Sequence, residues 1–212
     1  MDREKGILTV VSGFSGSGKG TIMNRLLEEH PDTYALSISA TTRAPRPGER
    51  HGKEYFFVSK EEFESMIDRQ ELIEYAQYVN HFYGTPKEYV SQQLGLGKDV
   101  ILEIEIQGAL KVKEAFPDTL LLFVTPPSAE ELKRRLLGRG TEEASVVASR
   151  LGRAWQEAQG VEAYDYLVVN DQLEECVQEV HGIIQNEHAR VARNGSLIET
   201  IRAGLLAFAK GE

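Results

Sequence analysis

The chain has 212 residues, 41% of them hydrophobic, so one sizeable core can form and a second independent domain is possible without being required. A formal net charge of -9 argues against wholesale binding to nucleic acid or to an anionic membrane, since both need a basic face. No stretch reaches the roughly 20 apolar residues of a membrane span, and a single cysteine, Cys176, cannot form an internal disulfide. We therefore expect a cytoplasmic protein, with Cys176 as a small core residue.

Apolar runs rich in branched residues alternate with helical patterns along the chain. The predicted strands cover residues 6–13, 99–106, 119–125 and 166–170, and the predicted helices cover 19–30, 60–69, 87–96, 109–115, 128–138, 143–158 and 172–193. Strands that alternate with helices predict an α/β fold with a parallel sheet flanked by helices. Two helix starts have capping-box spacing, Ser59 with Glu62 and Ser128 with Glu131.

Three segments depart from this alternation. Residues 37–85, rich in Thr, Arg, Pro and Gly at their start, predict a small, mixed α/β insertion. Residues 133–150 combine a basic helix end with a Gly-flanked turn. The tail from residue 195 follows an Asn-Gly turn and predicts a last helix, to which the sequence assigns no role.

The stretch GFSGSGKGT, residues 13–21, joins the first predicted strand to the first predicted helix. Such a turn points backbone N–H groups and the positive end of the helix at one place, where a phosphate can bind, and Lys19 adds a point charge. The common pattern G-x-x-x-x-G-K-[ST] places a hydroxyl directly after the lysine. Here Gly20 occupies that place and the hydroxyl follows at Thr21. Whether Thr21 contacts a metal ion, a phosphate oxygen or neither stays open.

Two basic clusters stand out in this acidic chain. Residues 43–53 hold four Lys or Arg against one carboxylate, and residues 133–153 hold six against two. Either cluster alone could be a solvated basic face. Beside a phosphate loop they favour phosphoryl transfer, because the planar guanidinium binds phosphate oxygens with two hydrogen bonds and keeps its charge.

Glu103 and Glu105 lie in the predicted strand 99–106, where a period of two puts both carboxylates on one face. A central parallel strand is normally apolar throughout, so the pair indicates either a wet edge strand or a ligand site at the carboxyl end of the strand. In the second case both carboxylates lie near the end of the sheet at which ligands bind.

Five segments in order resemble the guanylate kinases. They are SATTRAPRPGERHGKEYFFVS, ELIEYAQYVNHFYGT, VILEIEIQG, LKRRLLGRG with Arg150 eleven residues after Arg139, and VVND, within residues 6–190. The resemblance implies a P-loop enzyme of purine nucleotide metabolism that transfers the γ-phosphoryl group of ATP to GMP or dGMP with Mg²⁺. It implies no nucleic-acid or membrane partner and leaves a homo-oligomer open.

The resemblance also assigns the site residues by position. It implies a catalytic role for Lys19, Arg46, Arg139 and Arg150; ATP binding by Gly13, Phe14, Ser15, Gly16, Ser17, Gly18, Lys19, Gly20, Thr21 and Asn170; and GMP binding by Ser39, Arg43, Arg46, Tyr55, Glu74, Tyr83, Thr85 and Glu105. Thr21 and Glu103 are the candidate metal contacts, through water. Phe14 replaces the proline usual in the family, and Thr85 a frequent serine.

The resemblance divides the chain into four parts. The P-loop core comprises residues 1–36, 87–127 and 159–194, the GMP-binding insertion 37–86, the arginine-rich helical lid 128–158, and a C-terminal extension 195–212.

Carboxylates and hydroxyls complement the donors and acceptor of guanine, whereas a carboxylate facing N1 of adenine has nothing to accept. Two alternatives are a P-loop kinase acting on a sugar phosphate and a non-catalytic interaction module of this fold.

Overall fold

The computed structural model describes residues 5–78, 80–138 and 144–210, which form nine strands and eight helices. The strands are β1 (Leu8–Gly13), β2 (Tyr34–Leu36), β3 (Ala40–Thr41), β4 (Phe56–Phe57), β5 (Leu72–Tyr78), β6 (His81–Pro86), β7 (Asp99–Glu103), β8 (Leu120–Thr125) and β9 (Tyr166–Val169). The helices are α1 (Lys19–Glu29), α2 (Lys60–Asp68), α3 (Lys87–Gly95), α4 (Ile106–Ala115), α5 (Ala129–Leu137), α6 (Ala144–Ala158), α7 (Leu173–Glu187) and α8 (Gly195–Lys210).

A five-stranded parallel sheet, in the order β2-β7-β1-β8-β9, forms the centre of the molecule. Successive residues of β1 point to opposite faces: Val11 packs against side chains of α1 and α7, and Val10 against side chains of α3 and α4. Both faces are thus covered by helices, which explains why β8 is almost continuously apolar. The predicted fold class is confirmed.

A second, mixed sheet lies in the sequence between β2 and α3, in the order β4-β3-β6-β5. Strand β3 pairs parallel with β4 and antiparallel with β6, and β5 and β6 form an antiparallel pair. Helix α2 contributes Phe63, which is fully buried with Ala40 and Leu72 and stacks on Phe82. This small core is separate from the two cores on the faces of the central sheet.

Most predicted helices agree with the structure to within one residue at each end, with two exceptions. Helix α7 ends at Glu187 and not at residue 193, and a separate short 3-10 turn covers Val191–Arg193. Helix α4 begins at Ile106, three residues before the predicted start, and β7 ends at Glu103. The chain leaves the sheet earlier because Glu105 caps the helix, with its carbonyl accepting the Ala109 N–H at 2.9 Å.

The two predicted capping boxes are present in their hydroxyl half. The hydroxyls of Ser59 and Ser128 accept the N–H groups of Glu62 and Glu131, each at 3.1 Å. The carboxylate of Glu131 hydrogen-bonds to two arginines of its own helix, which lowers its pKa to about 2. Helix α5 therefore starts with a capped amide and ends with its basic residues tied to its first turn.

Cys176 is buried, as predicted, and burial raises the pKa of its thiol to about 11.

The predicted last helix is present as α8, in which no residue is buried, and Ile201, Leu205 and Phe208 are exposed. Among the described residues, no helix is long and apolar enough to cross a membrane.

One fully buried carboxylate joins the starts of the central strands to α7. Asp99 accepts the Ile7 N–H at 2.8 Å and the Gln185 side-chain amide at 2.9 Å, and His188 Nε2 lies 2.8 Å from its Oδ1. Tyr34, at the start of β2, extends this network through Gln185 and His181. The network lies at the amino ends of the strands and so stabilises the sheet at the edge opposite the phosphate loop.

Replacing Asp99 should destabilise the protein strongly, because Asp99→Ala leaves the buried N–H of Ile7 and the half-buried amide of Gln185 without this acceptor. We expect the free energy of unfolding to fall by about 3 kcal/mol, measured by urea denaturation. Asp68→Ala, at an exposed site on α2, is the matched control and should change it by less than about 0.5 kcal/mol. Equal values for the two variants would show that the Asp99 network does not hold the strands.

Candidate active site

The turn between β1 and α1 has the backbone shape of a phosphate loop. Gly13, Gly16 and Gly18 have φ angles of 151°, 95° and 94°, which favour glycine, and the Ser17 N–H donates to the Phe14 carbonyl at 3.0 Å. Helix α1 starts directly after Gly18 without a capping side chain. Its first N–H groups are therefore available to an anion, together with N–H groups of the loop other than that of Ser17.

Neighbouring elements touch the loop so closely that a side chain would not fit at two of its glycines. A Cβ at Gly13 would lie 2.1 Å from the Val124 carbonyl oxygen, and one at Gly18 would lie 2.3 Å from Asn170 Nδ2. Asn170 is buried and donates to the Ser17 carbonyl at 2.8 Å. The end of β8 and the residue after β9 thus fix the curvature of the loop.

Lys19 lies inside the curve of the loop. Its Nζ donates to the carbonyls of Gly13 at 2.6 Å and Phe14 at 3.2 Å. Burial lowers the pKa of Lys19, and the nearby carboxylates of Glu103 and Glu157 oppose this by favouring the charged form. A bound polyphosphate would favour the charged form in the same way. Thr21, two residues further on, is exposed on the first turn of α1.

A cavity of about 310 Å³ lies between the central sheet and the second sheet. It is lined by residues of β2, β7 and the second sheet, among them Ser39, Tyr55, Thr85 and Glu103. The hydroxyl of Thr85 donates to Glu74 Oε1 at 2.8 Å, and both side chains are buried. The sequence-predicted hydroxyls and one predicted carboxylate are therefore brought together here. Burial raises the pKa of Glu74 despite the Thr85 hydrogen bond.

A second group of predicted residues forms an arginine-tyrosine cluster. The guanidinium of Arg43 lies 5.4 Å from the ring centre of Tyr55 and donates to Glu49 Oε1 at 2.9 Å. The rings of Tyr55 and Tyr83 contact edge to face at 6.0 Å. Arg46 is exposed, and its backbone N–H donates to Glu49 Oε2 at 2.7 Å. Glu49 thus shapes the loop that presents both arginines.

Helix α6 brings two arginines to the site from the other side. Arg150 donates to the Ser15 hydroxyl of the phosphate loop at 2.9 Å. Arg153 hydrogen-bonds to Glu105 and donates from Nε to Glu157 at 3.1 Å. Arg139, the other arginine predicted for this region, lies outside the described residues.

Glu103 and Glu105 do not share a strand face, so that prediction was wrong. Glu103 is the last residue of β7 and Glu105 caps α4, because the backbone turns out of the sheet between them. Both side chains are exposed, so neither carries the burial penalty expected in a strand interior. Glu103 lines the cavity, and Glu105 contacts α6.

Comparisons with known proteins agree with this geometry. A family model described as guanylate kinase matches residues 5–187. The guanylate kinases of Oceanobacillus iheyensis and Lactococcus lactis are each 52% identical to this chain, over 193 and 191 residues respectively. These alignments cover 91% and 90% of this chain and 93% of each relative. The chain belongs to the guanylate kinase family.

A solved structure agrees with this assignment. The crystal structure of a guanylate kinase from Anaplasma phagocytophilum superposes with a TM-score of 0.71 at 36% identity, and covers 91% of this chain and 92% of that one. The resemblance inferred from the five ordered segments is thus confirmed. Helix α8 lies beyond the residues that the family model matches.

Three polar residues of the site were not named individually from the sequence. Arg135 donates to the carbonyls of Asn170 at 2.9 Å and Ser17 at 3.3 Å, and so supports the loop from α5. Arg153 and Glu157 connect α6 to Glu105 and to the surroundings of Lys19. The basic cluster 133–153 contains both arginines, but its composition does not tell which of them face the site.

The loop glycines should differ sharply in their tolerance of alanine. Gly18→Ala adds a Cβ at a positive φ against Asn170, and should lower the free energy of unfolding by at least about 1 kcal/mol. Gly20→Ala is the control, because no atom lies within 4 Å of its Cβ position and alanine favours a helix, which should add up to about 1 kcal/mol. Thermal unfolding without nucleotide measures both. Equal destabilisation would contradict the close contact at Gly18.

Glu74→Gln should stabilise the protein at neutral pH. The folded state holds the proton of Glu74 more tightly than the unfolded chain does, so above the raised pKa the ionised carboxylate lowers stability. Glutamine removes this penalty, and the gain should vanish as the pH falls below about 4, near the ordinary pKa of glutamate. Urea denaturation at both pH values measures the difference.

The exposed Glu64 of α2 supplies the control for this experiment. Glu64→Gln should leave the free energy of unfolding unchanged to within about 0.5 kcal/mol at either pH. A Glu74→Gln gain that persisted at acidic pH would mean that shape, and not charge, is responsible.

Proposed function

We propose that this chain catalyses the reaction of its family, the transfer of the γ-phosphoryl group of ATP to GMP or dGMP. The observation that carries the proposal is the position of Glu103. It lines the cavity that holds the hydroxyls of Ser39 and Thr85, and its charge also acts on Lys19 of the phosphate loop. A triphosphate on the loop and a monophosphate nucleotide in the cavity would therefore lie side by side.

The ATP half of the proposed site is the loop itself. Backbone N–H groups of residues 13–21 bind the phosphates, and Lys19 neutralises the outer ones, as the inward position of its Nζ supports. Asn170 is assigned to the adenine side, and its backbone supports the loop through Arg135. Thr21 lies exposed on the first turn of α1, two residues after Lys19, where its hydroxyl can contact a phosphate oxygen or a water bound to the metal ion.

The GMP half uses the second sheet. The acceptor phosphate is bound by Arg43, Arg46 and Tyr55, whose cations and hydroxyl suit it, and Tyr83 helps to frame the nucleotide. Glu74 and Glu105 accept the N1–H and N2 amino hydrogens of guanine, while Ser39 and Thr85 complete its polar contacts. Adenine has an acceptor at N1, so a carboxylate in that position selects against it by about 1 to 3 kcal/mol.

Phosphoryl transfer here is chiefly alignment and neutralisation of charge. The acceptor is a phosphate oxygen that is already anionic, so no general base is required. Arg46 approaches from the GMP side and Arg150 from α6, with Arg139 assigned to the same task. The segment 128–158 serves as a lid that excludes water, which would otherwise take the γ-phosphoryl group.

Mg²⁺ is the proposed metal, bound mainly by the phosphates of ATP. Among the described residues, no three His, Cys, Asp or Glu side chains form a cluster that could hold a metal ion. The exposed hydroxyl of Thr21 and the exposed carboxylate of Glu103 are hard oxygen donors, which suit contacts to Mg²⁺ through its water shell. When bound, the ion neutralises phosphate charge.

A reduced cytoplasm, where ATP and GMP are available, is the proposed setting, and the buried free thiol of Cys176 fits it.

An acceptor panel tests the proposal. ADP production from MgATP, followed in a coupled assay, should depend on GMP or dGMP and be weak with AMP, CMP or UMP. The reason is the base pocket, in which Glu74 and Glu105 accept hydrogen bonds that only guanine offers in this arrangement.

Two results would contradict it. Activity with a ribose phosphate but not with GMP would reject the base pocket and favour a sugar-phosphate kinase. Binding of GMP without ADP production at any acceptor concentration would favour the non-catalytic use of the fold.

A further inference from the structure

Four side chains of alternating charge lie between the phosphate loop and the start of α4: Lys19, Glu157, Arg153 and Glu105. Arg153 of α6 donates from Nη2 to Glu105 Oε2 and from Nε to Glu157 Oε1 at 3.1 Å. Burial lowers the pKa of Lys19, and the Glu157 carboxylate opposes this by favouring the charged form of the lysine. Two cations and two carboxylates thus run from the phosphate loop to Glu105, and Arg153 is the member that joins the two halves.

Glu105 needs a partner of this kind. Its backbone caps α4, its side chain makes no capping hydrogen bond, and that side chain is 65% exposed. An exposed glutamate samples many rotamers, and fixing one of them on binding weakens the affinity for the base. Arg153 engages Oε2, which leaves Oε1 and further lone pairs for the N–H groups of a base.

Arg153 also lies close in α6 to an arginine that contacts the phosphate loop. Arg150, three residues earlier, lies on the same face of α6 and hydrogen-bonds to Ser15 of the phosphate loop. One helix therefore contacts both the loop that binds the triphosphate and the carboxylate assigned to the base. A displacement of α6 moves both contacts together.

We propose that Arg153 is a positioning residue for guanine recognition: it orients the Glu105 carboxylate towards the base and couples that orientation to the position of helix α6. The inference rests on the proposed function, in which Glu105 faces guanine. Glu157 supports it by holding the Arg153 guanidinium from the other side. Arg153 acts through Glu105 and does not itself contact the nucleotide.

A double-mutant cycle with Glu105 tests the proposal. In Arg153→Met, which removes the charge and keeps a good helix former, the calorimetric Kd and the KM for GMP should rise about three- to fivefold, with the KM for ATP unchanged. Glu105→Gln alone should weaken GMP binding by about tenfold or more. Adding Arg153→Met to Glu105→Gln should then change the Kd by less than about 1.5-fold, because the pathway through Glu105 is already lost.

Two further variants complete the design. Arg202→Met removes an arginine that pairs with Glu199 on α8, remote in sequence from the site, and should leave every constant unchanged. Arg153→Lys keeps the charge but cannot bridge two carboxylates as a planar fork does, so its Kd should lie between those of the wild type and Arg153→Met.

Three outcomes would overturn the inference. An unchanged Kd in Arg153→Met would make the contact an ordinary surface ion pair. An equal loss in the wild-type and Glu105→Gln backgrounds would mean that Arg153 acts on the nucleotide directly. A wild-type chain that neither binds nor phosphorylates GMP would reject the proposed function itself, and is distinguished from the first two by the wild-type titration alone.

Discussion

The close contact between Gly13 and the Val124 carbonyl is the constraint on which the site depends. Strand β1 is the middle strand of the sheet, and at its end the backbone must pass β8 with no room for a side chain. The turn therefore needs glycine at this point, and α1 begins directly after Gly18. A Cβ at Gly13 would push the loop away from β8, and one at Gly18 would push it away from Asn170, which fixes its other side.

The remaining parts of the site follow from the neighbours of β1. Strand β7 lies beside it in parallel, so its carboxyl end brings Glu103 to the same edge of the sheet as the loop. The Ser12 hydroxyl donates to the Ile104 carbonyl at 2.7 Å, which ties the two strand ends together. Residues of the second sheet line the other side of the cavity. Helix α6 contributes Arg150, which contacts the phosphate loop. At the opposite end of the strands, the buried Asp99 carboxylate connects the strand starts to α7.

The burial of Glu74 carries a cost in stability. Desolvation raises the pKa of this carboxylate and so weakens the folded state at neutral pH. Thr85 offsets part of this penalty with a hydrogen bond. Glu105 differs from Glu74, since it stays exposed and hydrogen-bonds to Arg153 of α6.

The sequence by itself determined the fold class, the family, the phosphate loop and most helix bounds, because apolar periodicity, glycine pattern and helix caps are local properties. It did not determine where β7 ends, and so it placed Glu103 and Glu105 on one face, since a strand and a helix cap look alike over two residues. It also did not single out Arg153 from its basic cluster or pair Arg135 with Asn170. Those contacts join residues 35 to 48 positions apart, and only the packing of α5 and α6 against the sheet brings them together.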